Sequence, residues 1–575
     1  MKHVVDIEAD SLQPSTIHCI VAKNVETGKV HTFREGECIN NWPSFAKQNI
    51  TSYVMHNGIS FDAPALNRLT GTRISVDQIE DTMIMSQITN PMRDNGHSLD
   101  AWGQTLGFPK TEFNDWSHCS DEMVKYCIND VELTARVYAT LQNELRNFSD
   151  ESVRMEHTIR FLIDRQQKNG FTLDMPKAMA LMSRLSDMAG EIELQVQEAF
   201  YPLPTFVKEV SPKIKKDGSL SKVGLSHLGD DWPCAGGEHS VVDFPQFNLA
   251  SRQQIVRHLQ HRGWKPTKFT EKGHAIVDEG VLKHVNIPEA QLIARYLLLQ
   301  KRVSQIKQWI DYYDDDGRVH GRVLTLKAVS GRMAHHAPNM AQVPASYSEF
   351  GKECRECWIA SEPDRVLVGC DASSLELRGL AHYLNDKAFI NEVVNGDIHT
   401  ANQNAAGLET RDQAKTFIYA FIYGAGAAKI GSVVGGTAKD GQRLIDQFLT
   451  NVPALKTLRQ RVEQAAQRGY VPGLDGRRLK VRSAHSALNL LIQGAGAVIC
   501  KQWLIQIVKM AKQEKLDANL VASIHDEYQF DVKREQAERF GEITKKAMKE
   551  TEKILKVRCP LDSEYKVGRN WSETH

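Results

Sequence analysis

The chain has 575 residues and is 41% apolar, which allows several hydrophobic cores and roughly three or four domains. Lys plus Arg and Asp plus Glu both number 71, so the formal net charge is zero; that excludes a wholesale polybasic coat but not basic grooves around acidic metal sites. No leader is recognisable and no apolar run looks long enough to span a membrane, so a cytoplasmic, reducing compartment without a membrane partner is expected.

The first ~145 residues alternate strands and helices, as a layered α/β fold does. "HVVDIEAD" and "SYVMHNG" read as strands, and "SDEMVKYCINDVELTARVYATL" as a helix. In "VVDIEAD", Val4, Asp6 and Glu8 share one strand face and Val5 and Ile7 the other, so two carboxylates point the same way. "HNGISFDAPAL" then sets Asn57 and Phe61-Asp62 ahead of a helix. "YCIND" places Tyr126 and Asp130 at i and i+4 on one helix face, with Ser120 as the cap and Asp121 and Glu122 in the first turn. Four acids from separate elements suit two hard divalent cations acting on a phosphoryl displacement. For any one piece alone, solvated surface acids are the plain alternative.

From about 150 to 200 the pattern is helical. Residues 201–244 are rich in Pro, Gly, Lys and Ser and read as a loop-rich insertion or extended linker. Lys208, Lys213, Lys215, Lys216 and Lys222 alternate there with Phe206, Ile214, Leu220 and Leu225. Helices resume near Ser251, and strands and helices mix again from about Gly317. Cys354 and Cys357 are the one close pair among ten cysteines; with no second ligand pair nearby, ordinary thiols are expected rather than zinc.

"RVLVGCDASSLELRGLAHYL" reads as an apolar strand, Val366 to Cys370, ending at Asp371, then a helix burying Leu377, Leu380, Ala381 and Leu384. In "RDQAKTFIYAFIYGAG", Arg411, Lys415, Tyr419 and Tyr423 recur every four residues, while Ala414, Phe417, Ile418 and Phe421 face a core. Two cations followed by two rings suit a triphosphate with a base stacked beside it; a solvated basic helix face is the plain alternative. "VASIHDEYQFDV", 521–532, reads as one strand with Ile524, Asp526, Tyr528, Phe530 and Val532 on one face and His525, Glu527, Gln529 and Asp531 on the other. A buried carboxylate at Asp526 calls for a partner or a cation, and Asp371 with Asp526 would form a second two-metal site.

In order and spacing, D-x-E, N-x3-F-D and Y-x3-D resemble the exonuclease motifs of the DEDD family, Tyr subtype, and "DTMIMSQI" and "GHSLDAWGQTLG" look like it too. D-x-S-x-L-E-L-R, R-x3-K-x3-Y-x3-Y-G and H-D-E resemble motifs A, B and C of family A DNA polymerases, in the wording of their phage T-seven-type replicative subgroup. "GDIHT", "LDGRRLKVRS", "HSALNLLIQGAGAVICK", "SGRMAHHAPNMAQVP" and "GRNWSETH" share that likeness, which is weakest over 201–246.

The resemblance implies a multidomain α/β and α+β chain, a ribonuclease H-like DEDD exonuclease followed by a right-hand polymerase. No 5′-nuclease domain is expected ahead of the exonuclease. The exonuclease would span 1–146, the thumb 147–318 with the insertion, the palm 319–390 and 490–575, and the fingers 391–489. The implied activity is template-directed addition of dNTPs to a primer 3′ end with 3′-5′ proofreading, in phage genome replication in the host cytoplasm.

Each centre would hold two Mg²⁺ ions, with Mn²⁺ as substitute. The implied ligands are Asp6, Glu8, Asp62 and Asp130, with Tyr126 orienting water, and Asp371 and Asp526 in the polymerase. Arg411, Lys415 and His399 would meet phosphates, Lys415 also protonating the leaving group. Tyr419 and Tyr423 would line the nucleotide pocket, and Glu376 would exclude a ribose hydroxyl. Arg332, Asn489, Gln493 and His525 would contact the primer-terminal pair, whose minor-groove acceptors vary little with sequence. Arg252, Arg257, Lys301 and Arg302 would reach duplex phosphates or form a solvated helix face.

The expected partners are primer-template DNA, dNTPs, a thioredoxin-like processivity factor on the insertion, a helicase/primase and a single-stranded DNA-binding protein. A single-subunit RNA polymerase is the rival reading, opposed by Glu376 and H-D-E. A non-catalytic DNA-binding subunit, or an exonuclease with a non-catalytic C-terminal half, would not need both acid sets complete.

Overall fold

The computed structural model describes residues 1–146, 148–270 and 272–575. They divide into two compact units, one of residues 1–174 and 312–575 and the other of residues 175–311.

The first unit begins with strands β1 (Lys2–Ala9), β2 (Ile17–Asn24), β3 (Val30–Arg34), β4 (Ser52–Met55) and β5 (Ile79–Asp81), in sheet order β3-β2-β1-β4-β5. β1, β4 and β5 run parallel, and β2 is antiparallel to β1 and β3. Helices α1 (Asp62–Leu69), α2 (Thr82–Thr89), α3 (Asp121–Leu145) and α4 (Asp150–Asn169) accompany them. Both faces of β1 are buried. Val5 and Ile7 pack with Trp42, Tyr53 and Leu66, while Val4 packs with Met123, Val124 and Cys127 of α3. The strand is therefore apolar on alternate residues toward both layers, and Asp6 and Glu8 stand out on the α3 side. Ser120 caps α3 as the sequence suggests, accepting from the Met123 N–H at 3.0 Å.

In the second unit, α5 (Met175–Ala199) packs along α6 (Pro288–Asp311), burying Leu181, Leu185 and Ile192 on one helix and Ile293, Leu299 and Ile306 on the other. The expected loop-rich insertion contains an antiparallel hairpin, β6 (Thr205–Val210) with β7 (His239–Asp243). Of the apolar residues that alternate with its lysines, Phe206 and Ile214 are exposed, but Leu225 is fully buried. Of the four basic residues, only Arg302 is off the open surface; Arg257 is exposed, though its guanidinium is tied down. Arg302 is buried and donates to Gln305 at 3.2 Å, and Arg257 donates to Thr205 Oγ1 at 2.6 Å. Lys301 and Arg252 are exposed.

The C-terminal sheet is built from β8 (Arg365–Ala372), β9 (Ala518–Ile524), β10 (Glu527–Lys533) and β11 (Ser563–Gly568), in order β9-β10-β8-β11 and antiparallel throughout. Residues 521–532 are therefore not one strand. β9 stops at Ile524, His525 and Asp526 make a two-residue turn, and His525 takes the left-handed φ of 55° that the turn requires. Asp526 sits at the hairpin tip, half-buried, rather than on an apolar strand face. On the other predicted face His525 is exposed, but Glu527, Gln529 and Asp531 are buried as well. Glu527 accepts from Trp571 Nε1 at 2.5 Å and pairs with His575 Nδ1 at 2.7 Å, Gln529 Oε1 accepts from Thr574 at 2.8 Å, and Asp531 meets Arg365 Nε at 2.7 Å. The C-terminal tail covers this face so closely that a Cβ on Gly369 would lie 2.3 Å from the Thr574 carbonyl oxygen. Tyr528, Phe530 and Val532 pack on the other face with Trp503 and Phe540.

The helices that matter here are α7 (Leu375–Leu384), α8 (Ile398–Ala406), α9 (Arg411–Ile422), α10 (Ala487–Gln513) and α11 (Ala537–Ile554). Leu377, Leu380, Ala381 and Leu384 are buried, as are Ala414, Phe417, Ile418 and Phe421. Contrary to expectation, one stretch, residues 484–513, is long and apolar enough to cross a bilayer; 78% of its apolar window is buried inside the protein, so its composition reflects a core helix. Cys354 and Cys357 are both buried.

Candidate active sites

The first site forms where β1, α1 and α3 converge. Asp6 and Glu8 come from β1, Asp62 from the first turn of α1, and Asp130 from α3. Burial raises the Asp6 carboxyl far above its ordinary range, and the charges of Asp62, Glu8 and Asp130 raise it further. Burial pushes Glu8 up to about 9 and Asp62 to about 7. Glu8 Oε1, Asp62 Oδ1 and Asp130 Oδ1 are buried without a hydrogen-bond partner among the described residues. Mutually repelling carboxylates with orphaned oxygens are costly alone and fit a hard divalent cation.

Local structure holds these acids in place. Asp81 accepts from the backbone N–H groups of Asn57 at 3.0 Å, Ile59 at 3.2 Å and Met83 at 3.0 Å, pinning the turn that leads to Asp62. Asn57 takes a left-handed φ of 62° there, which a short amide side chain tolerates. The Asp81 N–H in turn donates to His157 Nε2 at 2.8 Å. Tyr126 lies against Phe113 and Trp116, with ring centroids 5.6 and 5.7 Å away. Lys110, which the sequence pattern did not single out, places Nζ 2.7 Å from Asp130 Oδ2 and 4.8 Å from the Tyr126 ring centroid. It lies in an aperiodic loop, so only the fold reveals the contact.

The second site lies at the tip of the β9–β10 hairpin. Residue Asp371 is in register with Glu527, and the Ala372 N–H donates to the Asp526 carbonyl at 3.0 Å, so the two predicted acids adjoin. Asp371 is open to solvent on one side, yet its enclosed surroundings, and then the charges of Asp526 and Glu527, raise its carboxyl to about 7. Asp526 is raised by burial and then by Glu376. Glu376 accepts from Arg332 Nη2 at 2.9 Å and from the Tyr423 hydroxyl at 3.1 Å. Arg332, His525 and Asp526 line one small cleft.

On α9, Tyr419 and Tyr423 stack with centroids 6.4 Å apart, and His399 of α8 lies 6.2 Å from Tyr419. Arg411 is held by Asp397, Nε to Oδ2 at 2.7 Å, on the exposed cap of α8. Lys415 is exposed, and its ammonium makes no hydrogen bond or ion pair among the described residues. Asn489 and Gln493 stand one turn apart on α10. Neither bonds to Arg332 or His525 among the described residues; Asn489 instead borders a cavity of about 110 Å³ with Gly424 and His485.

A buried ionic group links α4 to α10 and has no signature in the sequence. Fully buried Glu156 of α4 accepts from Lys501 Nζ of α10 at 2.7 Å and from Arg477 Nη1 at 2.8 Å, and Arg477 also pairs with Asp475.

Residues 4–146 match the family model described as 3′-5′ exonuclease, and residues 236–573 match that of DNA polymerase family A. The chain belongs to DNA polymerase family A. The polymerase is 33% identical to the DNA-directed DNA polymerase of Enterobacteria phage T3 and 32% to that of Escherichia phage T7, with 100% of both chains covered in each case. Its fold resembles the POL domain of Pol1 from M. smegmatis, solved with DNA primer-template and dNTP, at a TM-score of 0.78 and 17% identity, covering 100% of this chain and 96% of that one. It is a DNA-directed DNA polymerase with a 3′-5′ exonuclease domain, and both domains belong to metal-dependent families. The RNA-polymerase and non-catalytic readings are set aside by these matches.

Proposed function

We propose that the polymerase extends a primer 3′ end with dNTPs at Asp371 and Asp526 and removes misplaced 3′ nucleotides at Asp6, Glu8, Asp62 and Asp130. Each carboxylate set would hold two Mg²⁺ ions, replaceable by Mn²⁺. The carrying observation is the adjacency of Asp371 and Asp526, two acids far apart in sequence. When bound, the ions supply Lewis-acid stabilisation of the attacking and leaving oxygens.

The chain's own groups do the rest. Lys415 meets the triphosphate and gives a proton to the departing pyrophosphate, with His399 beside it and Arg411 released from Asp397 to join it. Tyr419 and Tyr423 flank the nucleotide's sugar and base, and Glu376, held by Tyr423 and Arg332, excludes a 2′-hydroxyl. Arg332, His525, Asn489 and Gln493 check the primer-terminal pair by shape. In the exonuclease, Tyr126 orients the attacking water, and Lys110 balances the charge of Asp130. In this reading residues 1–146 form the exonuclease, 147–318 the thumb, 319–390 and 490–575 the palm, and 391–489 the fingers. A role in phage genome replication is in keeping with the phage source of the relatives; the host cytoplasm as its setting, with a helicase/primase and a single-stranded DNA-binding protein as partners, completes this reading.

Asp371→Asn or Asp526→Asn should abolish primer extension and leave 3′ trimming. Asp6→Ala with Glu8→Ala should do the reverse. Near-normal extension by either asparagine variant overturns the polymerase assignment. The basic hairpin region 201–244 further supports a processivity role, by arching over duplex phosphates or docking a thioredoxin-like protein. Replacing 205–240 with a Gly-Ser linker should shorten products in single-encounter extension; unchanged length with and without thioredoxin leaves a plain spacer.

A further inference from the structure

Cys127 follows Tyr126 on α3 and stands one turn before Asp130. Its Sγ lies 3.6 Å from the Asp6 carbonyl oxygen and 3.7 Å from Asp6 Oδ2. One ligand atom from each of Asp6, Glu8 and Cys127 falls within 4.8 Å of the other two. Glu8 is only 7% exposed, and its Oε1 is one of the orphaned oxygens. Across the strand pair, Glu8 stands opposite Cys19, which packs in the same buried cluster as Cys127. The donor set at this corner is therefore sulfur and oxygen, not oxygen alone.

Magnesium has no use for sulfur, whereas zinc-class ions take thiolate and carboxylate together. We infer that Cys127 Sγ, Asp6 and Glu8 form a mixed sulfur–oxygen site for a thiophilic divalent cation of the zinc and cadmium class, competing with the ion that supports hydrolysis. On binding, an S–metal bond replaces the S–H bond, and the proton leaves to solvent. The polymerase centre has no such cluster among the described residues: Cys370, beside Asp371, points its sulfur into the core at the Tyr528 carbonyl, 3.7 Å away. A thiophilic ion would thus silence trimming at concentrations that spare extension, making proofreading separately inhibitable.

The inference rests on the reading of the exonuclease acids as a metal site. Its test titrates Cd²⁺ into the full chain with Mg²⁺ present, following single-strand 3′ trimming, primer extension and the ultraviolet cadmium–thiolate charge-transfer band. The parent should show the band at one equivalent and lose trimming before extension. Cys127→Ser and Cys127→Ala should lose the band, and the Cd²⁺ needed to halve each variant's own trimming rate should rise at least about tenfold, the scale on which metal-site contacts act. Parent-like band and inhibition in both variants overturn the inference. Asp6→Ala with Glu8→Ala separates the two readings. If that variant still trims, the metal-site reading itself fails; if it stops trimming while the Cys127 variants bind Cd²⁺ like the parent, only the sulfur site fails. Should both Cys127 variants misfold, as lost extension would reveal, the cadmium-113 resonance of the parent decides: a mixed sulfur–oxygen shift supports the site, and an all-oxygen shift overturns it.

Discussion

Tyr423 gives its hydroxyl hydrogen to Glu376 across 3.1 Å, joining the end of α9 to the start of α7 at the proposed nucleotide pocket. Arg332 reaches the same oxygen at 2.9 Å, so the carboxylate is fixed from two sides. In the proposed function, a carboxylate so held would be a rigid barrier to a ribose hydroxyl. Tyr423→Phe should let it swing and raise rNTP incorporation about tenfold, the scale of one hydrogen bond to a charged group. Glu376→Ala should raise it further. Single-nucleotide incorporation with matched rNTP and dNTP checks this; unchanged discrimination in both variants contradicts the gate.

Tyr419 lies between His399 and Tyr423 and is half-buried. Its phenol can replace the contact that a dideoxynucleotide lacks at its 3′ position. The parent should accept chain terminators readily, and Tyr419→Phe should discriminate against them by at least about tenfold. Equal ddNTP use by parent and variant in a competition assay refutes the role.

The exonuclease carboxylates set a pH dependence on the metal-free protein. Folding raises Glu8 from 4.5 to about 9 and Asp62 from 3.8 to about 7, chiefly by burial. The folded form keeps protons that the unfolded chain releases, so the stability these groups contribute is present below the unfolded values and is lost as pH climbs through about 7 to 9. Mg²⁺ should offset that loss. Its Tm increment over EDTA should therefore grow from about pH 5 to about pH 9 in calorimetry. An increment independent of pH contradicts this.

Glu156 pairs with both Lys501 and Arg477 in the core, and Asp475 also pairs with Arg477. Glu156→Ala strands a buried ammonium and should cost about 3–5 kcal/mol. Urea unfolding measures it; a loss below about 1 kcal/mol, the range of an exposed pair, would mean that water reaches Lys501.

Where chemistry follows a local period, it was legible before folding. Asp6 and Glu8 two apart on a strand, Tyr126 and Asp130 four apart on a helix, and the buried stripe of α9 all follow from the pitch of one element. The failures have physical causes too. The turn at His525 carries neither Gly nor Asn, so an alternation of two ran through it uninterrupted. Glu527, Gln529 and Asp531 look like a wet face because the residues that satisfy them, Trp571, Thr574 and Arg365, lie far off in sequence. Lys110 with Asp130, and Glu156 with Lys501, are pairings of tertiary structure alone. Arg302 looks solvated by type, but α6 turns it inward.

The strand order of the polymerase sheet has a consequence for biosynthesis. The acid-bearing strand β8 lies between β10 and β11, whose residues are made some 150 to 200 positions later. The exonuclease sheet, by contrast, closes within residues 2–81. During translation the editing half can therefore mature while the ribosome is still copying the rest of the message. The copying half stays unassembled until β11 and the covering tail have left the exit tunnel. A nascent chain stalled before residue 563 lacks the strand and the lid that hold Asp371 in register. Incomplete products of this gene should be inert as polymerases.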